Sequence, residues 1–296
     1  MKALPESTLN AFQQYRPLLF SIAYRMLGSA VDSEDILQEA YLRFQSVDVS
    51  KIDSPKAYLC TTVTRLCLNQ LKSARVQRET YPGPWLPEPI LSPNHLEISS
   101  PEARASEYDS ISLAFLALLE RLTPAERAVF ILREIFDFGY DEIAKILDKS
   151  ETACRKLFSR ARAYVLAHRP RFEVSIEEHR RLLEEFMRAA GEGDLDGLMT
   201  LLAEDVTFWA DGGGKSRGAA LQPIHGRRDV ANFVIGVTAR FTPPGAGFSV
   251  ADVNGKPTLL IRYADGTPAY VVSIEAGEDG ISNIWVVANP DKLRSV

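Results

Sequence analysis

The sequence is poor in the residues that build metal sites and disulfides. It has three cysteines, Cys60, Cys67 and Cys154, and four histidines among 296 residues. None of the cysteines lies in a CxxC pair, so the pattern indicates neither a zinc ribbon nor a thioredoxin-like redox site. We predict buried free thiols in a reducing compartment and no bound metal or cofactor.

Long apolar runs are also missing. No stretch approaches the roughly 20 apolar residues of a transmembrane helix, and the first residues lack the apolar core of a secretory signal. Hydrophobic residues make up 46% and charged residues 25% of the chain, which is ordinary for a globular protein. A chain of 296 residues exceeds one usual core. We therefore expect two or three domains in a cytoplasmic protein with no membrane partner.

Overall basicity is absent too, since the formal net charge is −5. A free-standing nucleic-acid binder usually carries a basic footprint. Basic residues are nevertheless concentrated in two runs without acidic residues. The first run contains Arg65, Lys72, Arg75 and Arg78. The second contains Arg155, Lys156, Arg160, Arg162, Arg169 and Arg171. Such stripes on an acidic chain predict weak DNA binding alone and the need for a partner.

Four segments of different character follow one another. Residues 5–80 have helical periodicity, and residues 81–107 form a proline-rich linker with four prolines between Tyr81 and Pro89. Helical periodicity returns at 108–170, and residues 174–296 begin with a helix and continue with strands. We predict two all-α domains followed by an α+β domain. The strand signals are Val206–Trp209, Thr258–Tyr263, Ala269–Ile274 and Ile281–Val287.

Helix start signals are clear at several places. Asp32 or Ser33 is suited to cap one helix, and Ser54 followed by Pro55 is suited to open the next. Thr123 and Ser175 each begin a capping-box pattern.

Residues 123–165 predict a helix-turn-helix. The first helix ends near Phe136, the second spans Tyr140–Leu147, and the third runs from Glu151 to about Val165. Ile143, Ala144 and Leu147 are expected to face inward on the second helix. On the third, the helical period gives an apolar inner face of Cys154, Leu157, Phe158, Ala161 and Val165.

The opposite stripe is basic and hydroxylated, as suits a helix in the major groove. Its candidate DNA contacts are Ser150, Thr152, Arg155, Lys156, Ser159 and Arg162. An ordinary solvated helix with a positive face is the alternative.

Two sets of motifs resemble bacterial sigma factors of the extracytoplasmic-function group. Leu122-Thr-Pro-Ala-Glu-Arg, Tyr140-Asp-Glu-Ile-Ala and Ser159-Arg-Ala-Arg162 are similar to region 4, which binds the −35 element. Ala23-Tyr-Arg-Met-Leu-Gly28 and Asp32-Ser-Glu-Asp-Ile-Leu-Gln-Glu39 are similar to regions 2.1 and 2.2, and residues 57–79 to regions 2.3 and 2.4. The resemblance implies core RNA polymerase and promoter DNA as partners.

The same resemblance suggests contact residues in region 2. Candidate polymerase contacts are Asp35, Gln38, Glu39 and Arg43, and candidate −10 contacts are Arg65, Asn69, Lys72, Arg75 and Arg78. A solvated helix surface is the alternative for each set. Asn69 departs from a common aspartate, which leaves the −10 contacts open, and Cys154 stands where valine is frequent.

Three further motifs are Trp85-Leu-Pro-Glu-Pro89, Asp211-Gly-Gly-Gly-Lys215 and Asn289-Pro-Asp-Lys-Leu293. They resemble motifs of sigma factors that end in a SnoaL-like (NTF2-like) domain, and the resemblance implies that this domain modulates activity in cis. The candidate regulatory residues are Trp85, Leu86, Pro87, Asp211, Gly212, Gly213, Gly214, Lys215, Asn289, Pro290, Asp291, Lys292 and Leu293. Lys215 is a candidate partner of Asp211. Trp85 is expected either to anchor a linker that threads along polymerase or to pack into the C-terminal domain.

An NTF2-like cone encloses a pocket, so other functions stay open. Asp211 and, more weakly, His225 are candidate general acid/base residues. An unidentified small ligand in the pocket and a purely structural or docking role are the alternatives. Rival functions for the whole chain are a ligand-sensing activator that binds DNA without polymerase, and a cyclase or isomerase with a DNA-binding tether. We predict a sigma factor that is not an enzyme.

Overall fold

A computed structural model describes residues 6–48, 52–92, 111–168 and 174–296, without the side chains of residues 6–8 and 74–79. Internal contacts divide the chain into two compact units. One comprises Met1–Glu79 and Ala117–His168, and the other comprises Thr80–Leu116 and Arg169–Val296. No helix in the described part is long and apolar enough to cross a bilayer.

Three helices form the first part of the helical unit. They are α1 (Glu6–Leu27), α2 (Ala30–Gln45) and α3 (Pro55–Glu79), and each packs against the other two. Their shared core includes the fully buried Tyr24, Phe44 and Leu59. Ser54 Oγ accepts the Ala57 amide, as its predicted capping role requires. The predicted cap of α2 was wrong, because Ser29 fills that position and accepts the Asp32 amide at 3.1 Å.

The helix-turn-helix follows in the same unit, after the short helix α4 (Leu113–Leu119). It consists of α5 (Pro124–Phe130) with a π-helical extension (Ile131–Ile135), α6 (Tyr140–Leu147) and α7 (Glu151–His168). The Thr123–Glu126 capping box is present. Asp148 turns the chain between α6 and α7 with φ of 52°. Ile143 and Ile146 are the buried residues of α6, so Ile146 takes the inward place predicted for Leu147.

The second unit is an α+β cone, as predicted. It contains α8 (Ile176–Glu192), α9 (Leu195–Leu201) and α10 (Arg227–Phe241). Its strands are β1 (Leu202–Asp211), β2 (Ile224–His225), β3 (Gly247–Val253), β4 (Lys256–Arg262), β5 (Pro268–Gly277) and β6 (Gly280–Val287). The sheet order in the described residues is β2-β1-β6-β5-β4-β3. The pair β1 and β6 is parallel, and the other neighbours are antiparallel.

One face of this sheet makes the core with the helices. Leu183 and Phe186 of α8 pack with Phe208, Val234 and Ile284. Ser175 caps α8 by accepting the Glu178 amide. The sequence pattern does not predict α9, α10, β2 or β3. In β3 the apolar alternation of Phe248 and Val250 is interrupted at Ala251 and Asp252, so the strand signal is weak.

Candidate functional site

The outer face of α7 carries the predicted DNA contacts in the predicted orientation. Ser150, Thr152, Arg155, Lys156, Ser159 and Arg162 are all exposed. Cys154, Ala161 and Val165 of the inner face are buried, while Leu157 and Phe158 are half-buried. The Phe158 ring lies 6.3 Å from Phe130 and 6.1 Å from Tyr140, centroid to centroid. These contacts fix the rotation of α7, so that its basic stripe faces solvent.

Arg155 is the most strongly positioned side chain of that stripe. Its guanidinium lies 4.3 Å from the Tyr140 ring centroid and 3.3 Å from Glu151 Oε2. Arg162 is only loosely paired, at 3.9 Å from Glu134. Arg160, which is outside the predicted stripe, forms a 2.9 Å ion pair with Glu126 of the capping box. Pairs of this exposed kind are weak and exchange readily for a phosphate or base partner.

The candidate −10 residues on α3 differ in what they contact. Arg65 donates from Nε to Ile146 O at 2.8 Å and from Nη2 to Lys145 O at 2.9 Å, at the carboxyl end of α6. A cation there donates hydrogen bonds to carbonyls that have no partner within the helix, and it interacts favourably with the negative end of the helix dipole. Asn69 and Lys72 are exposed. The side chains of Arg75 and Arg78 lie outside the described residues.

A second cationic residue, Arg127 of α5, was not predicted. It is 3% exposed, donates to Met26 O at 2.6 Å and is paired with Glu120. Burial lowers the pKa of its guanidinium to about 9. Arg127 thus joins the end of α1 to α5, while Arg65 joins α3 to α6.

The candidate polymerase contacts share one exposed face of α2. Asp35, Gln38, Glu39 and Arg43 are all exposed, and Arg43 Nε lies 2.8 Å from Glu39 Oε1. Leu42 is 60% exposed beside them. A single exposed leucine is ordinary on a protein surface, so it adds nothing to the case for a polymerase contact.

The linker docks in the second unit around one buried carboxylate, Asp211. This residue is fully buried at the end of β1. Asp211 Oδ1 accepts the Tyr81 phenol at 2.6 Å and the Gly213 amide at 3.1 Å, and Oδ2 accepts the Leu86 amide at 2.8 Å. Linker and C-terminal domain are therefore joined by hydrogen bonds to a single side chain.

Lys292 supplies the counter-charge. Its ammonium lies 2.7 Å from Asp211 Oδ2, donates to Leu86 O, and stands 3.8 Å from the Trp85 ring centroid. Asn289 Nδ2 donates to the Tyr81 phenol oxygen at 2.9 Å. Burial, followed by the hydrogen bond to Asp211, raises the pKa of Tyr81 above its ordinary value. We call Tyr81, Trp85, Leu86, Asp211, Asn289 and Lys292 the Asp211 cluster.

The predicted pairing of Lys215 with Asp211 was wrong. Lys215 pairs with Asp291 instead, and both side chains are about half exposed. Lys292 takes the place at Asp211 because the 3₁₀ turn Pro290–Lys292 brings it under the linker. Asn289 caps that turn by accepting the Asp291 amide at 3.1 Å.

The glycines of the 212–214 loop permit close approach. Gly213 and Gly214 have φ of 56° and 71°. A Cβ at Gly213 would lie 2.3 Å from Asn289 Nδ2, and one at Gly214 would lie 2.8 Å from Pro82 Cγ. At Gly212, a Cβ would meet the Ala219 Cβ at 2.6 Å. Side chains in this loop would push the linker and the 289–293 segment away.

The rest of the docked linker is also buried. Leu86, Pro87 and Glu88 are buried, and Ser295 Oγ donates to Glu88 Oε1 at 3.1 Å. Pro290 is exposed, whereas Leu293 is 4% exposed. Trp85 was expected either to anchor the linker along polymerase or to pack into the C-terminal domain. In the described structure it packs into the C-terminal domain, against Lys292.

Two linker contacts were missed from the sequence. Tyr81 had been read only as the linker's first residue. Asn254, at the turn between β3 and β4, is 1% exposed; its Oδ1 accepts the Ile90 amide at 3.0 Å and its Nδ2 donates to Ile111 O at 2.8 Å. An Asn-Gly pair signals a hairpin turn. Because turns are normally exposed, the pattern does not indicate that Asn254 is buried and bonded to the linker.

Comparison with known proteins shows the same pattern over the whole chain. Family models described as Sigma-70 region 2 and Sigma-70 region 4 match residues 11–76 and 112–165. The ECF RNA polymerase sigma factor SigJ of Mycobacterium tuberculosis is 36% identical over 293 residues, covering 96% of this chain and 93% of that protein. The chain belongs to the ECF RNA polymerase sigma factors.

Other relatives agree with this assignment. The probable ECF sigma factor SigI of M. tuberculosis is 32% identical over 290 residues, covering 96% of this sigma factor and 93% of SigI. The crystal structure of M. tuberculosis SigJ matches with a TM-score of 0.75 at 35% identity, covering 97% of this sigma factor and 98% of that chain. The similarity includes the C-terminal cone, so the fused domain is shared with these relatives.

The former candidate acid/base residues of the sigma factor lie away from the cavity of the cone. That cavity has a volume of about 880 Å³, and neither Asp211 nor His225 is among the residues that line it. Asp211 is held in the linker contacts, and His225 Nδ1 lies 3.1 Å from Thr207 Oγ1 on the exposed surface. No group of histidine, cysteine and acidic side chains in the described residues is arranged to hold a metal.

Proposed function

We propose that this sigma factor reads its promoter with two separate surfaces. The outer face of α7 contacts the −35 element through Ser150, Thr152, Arg155, Lys156, Ser159 and Arg162. Asn69 and Lys72, with Arg65, Arg75 and Arg78, serve the −10 element, and the α2 face of Asp35, Gln38, Glu39 and Arg43 meets core polymerase. The support is that every described member of these sets except Arg65 has a side chain turned to solvent without a buried role.

Base contacts can be separated from phosphate contacts by experiment. The holoenzyme is assayed on promoters with single base changes in the −35 element, using wild-type sigma factor and Lys156→Ala. If Lys156 contacts a base, the variant should lose discrimination at one position. If Lys156 contacts a phosphate, the variant should initiate less on all sequences alike, and its initiation should depend less on salt. Unchanged initiation on every promoter would remove Lys156 from the proposal.

We also propose that the C-terminal domain restrains the sigma factor in cis by holding the linker. The observation that carries this is the Asp211–Lys292 pair at 2.7 Å, to which Leu86 is bonded through both its amide and its carbonyl. Linker residues bound in this way cannot at the same time lie along polymerase. Docking therefore competes with holoenzyme formation, and release of the linker raises activity.

Transcription by the full chain with core polymerase tests the restraint. Lys292→Met should raise initiation at a cognate promoter, and a chain ending at Ala288 should do the same because it lacks Asn289 and Lys292. Arg294→Met is the control. The Arg294 side chain is 69% exposed, and its Nη2 lies 3.9 Å from Asp291 Oδ1, which is a long distance for an ion pair. Activity equal to wild type in both altered chains would overturn the restraint, and a fall in both would reverse its sign.

The C-terminal domain acts by binding and not by catalysis, with its site of action in the cytoplasm beside polymerase. Support comes from its cavity, whose buried residues are apolar, and from the engagement of Asp211 elsewhere. General acid/base chemistry needs a titratable group within reach of the substrate. The cavity does favour a second role, the binding of a small molecule.

A further inference from the structure

The cavity of the C-terminal domain is large, open at one end and lined by core residues in its interior. It lies between α8, α10 and the sheet, and its volume of about 880 Å³ falls within the range of ligand sites. Its walls include Phe186, Phe208, Leu259, Val272 and Ile284. Each of these is less than 9% exposed, so a ligand there would contact hydrocarbon.

The hydroxyl groups of the wall are partly engaged already. Thr242 Oγ1 donates to Thr238 O at 2.7 Å, and the Tyr270 phenol donates to Phe241 O at 3.1 Å. Phe241 and Phe248, 37% and 54% exposed, extend the apolar lining outward. Few polar groups are left to recognise a polar ligand inside the cavity.

Charged residues of the lining are confined to the mouth and balance one another. They are Glu184, Arg188, Glu192 and Arg217, all exposed, and Arg188 Nη1 lies 3.0 Å from Glu192 Oε2. Two cations face two carboxylates, so the mouth has no net formal charge. An ion moving inward would lose its hydration without meeting a counter-ion.

We propose that this cavity binds a neutral, hydrocarbon-rich small molecule that carries no more than a few hydroxyl or carbonyl oxygens. The apolar walls provide the binding free energy through burial of the ligand's hydrocarbon surface. Because the mouth has no net formal charge, it does not raise the affinity for an anion or for a cation.

The wall of the cavity is joined to the Asp211 cluster through the backbone. Ala210 and Ala288 line the cavity and directly precede Asp211 and Asn289, and the Ala288 amide donates to Asp211 O at 2.8 Å. Gly218 and Ala219 also line it and belong to the loop whose Gly214 abuts Pro82. A ligand that fills the cavity supports these walls, so it should stabilise the docked linker. This consequence rests on the proposed restraint, whereas ligand binding does not.

Binding is tested on the full chain with the neutral dye Nile red as the fluorescent probe. Displacement is measured with 1-dodecanol, dodecanoate and dodecylammonium, which share one chain length and differ in charge. The alcohol should displace the dye at a concentration at least tenfold below that of either ion. Absence of saturable dye binding, or equal displacement by an ion, would overturn the proposal.

A matched pair of variants locates the site. Met187 lines the cavity and Met199 does not, although both are half-buried against the same core. Met187→Trp fills space and should weaken dodecanol binding at least tenfold, whereas Met199→Trp should leave it within twofold. Equal loss in both variants would place the binding elsewhere.

The coupling has its own readout. Saturating dodecanol should slow hydrogen exchange of the Leu86 amide at least threefold and lower initiation by wild type but not by Lys292→Met. If Lys292→Met alters initiation but no probe binds, the restraint stands and the ligand site is overturned. If dodecanol binds and neither exchange nor initiation changes, the ligand site stands and the coupling is overturned.

Discussion

The outer face of α7 and the Asp211 cluster use polar residues in opposite ways. On α7 and at Ser150 just before it, six polar side chains are exposed, and Arg162 has only a 3.9 Å contact with Glu134. In the cluster, Asp211 is fully buried and bound by three hydrogen-bond donors besides Lys292. Exposed groups remain available to an external partner, whereas buried groups are committed to an internal one. The comparison separates the surface that we propose for DNA recognition from a contact that holds the chain to itself.

The largest effect is expected on α7. Changing Arg155 and Lys156 together to glutamate removes two cations and adds two anions at the promoter. We expect initiation to fall more than a hundredfold, since each good base contact contributes about 1–3 kcal/mol. Thermal unfolding should remain within about 0.5 kcal/mol of wild type because both side chains are exposed.

The charge reversal needs a control in the same unit. Arg121 is exposed in the turn after α4 and outside the α7 stripe, so Arg121→Glu should change initiation by less than threefold. A fall as deep as that of the double variant would show that the unit's general charge matters and not the α7 stripe.

The next effect concerns the buried pair. Asp211→Asn keeps the shape of the side chain but leaves the Lys292 ammonium, 11% exposed, without its counter-charge. Breaking a buried pair in this way costs about 3–5 kcal/mol, so hydrogen exchange at Leu86 should rise by at least a hundredfold.

The exposed pair of Lys215 and Asp291 provides the comparison. Lys215→Met should cost at most about 1 kcal/mol, because both partners are half exposed and solvent screens them. If Asp211→Asn and Lys215→Met accelerated hydrogen exchange at Leu86 equally, burial would not explain how much each ion pair stabilises the docked linker.

A smaller loss is expected from Tyr81→Phe. The phenol donates to Asp211 and accepts from Asn289, so its removal takes one of two donors from Asp211 Oδ1 and the phenol acceptor from Asn289 Nδ2. A cost of about 1–3 kcal/mol follows, read again as faster exchange at Leu86. Tyr263→Phe should have no such effect, since Tyr263 is 47% exposed; a similar change there would point to a general loss of stability in the cone.

The smallest effect is a pH dependence of α8. His179 Nε2 lies 3.0 Å from Pro257 O, and burial lowers the pKa of this imidazole below its ordinary value. The unfolded chain therefore binds the proton more readily, so this contribution is present above about pH 6.5 and is lost as the pH falls below it. The protection factor of the α8 amides, which is the intrinsic exchange rate divided by the observed rate at the same pH, should fall from pH 7.5 to 5.5 in wild type and less in His179→Gln. An identical fall in both would assign the pH dependence to other groups.

The helical unit followed closely from local sequence signals. The Thr123 capping box, the Ser54-Pro55 start and the bounds of α6 were all predicted from residues within one or two turns. The cap of α2 was misplaced because Ser29, Asp32 and Ser33 are all capping residues and only the backbone path selects among them. In the second unit, α10 was missed because it begins after Gly226 without a side-chain cap, and β3 was missed because Ala251 and Asp252 interrupt its apolar alternation.

Local patterns in the sequence were enough to predict the order of the segments, the helix-turn-helix, the outward stripe of α7 and the resemblance to sigma factors with a fused domain. These depend on periodicity and motifs, which are local. The tertiary structure alone decided that Lys292 and not Lys215 pairs with Asp211, that Tyr81 and Asn254 hold the linker, and that Arg65 contacts α6. Each of these joins residues 80 or more positions apart, and no local pattern specifies which distant partner a buried polar group will meet.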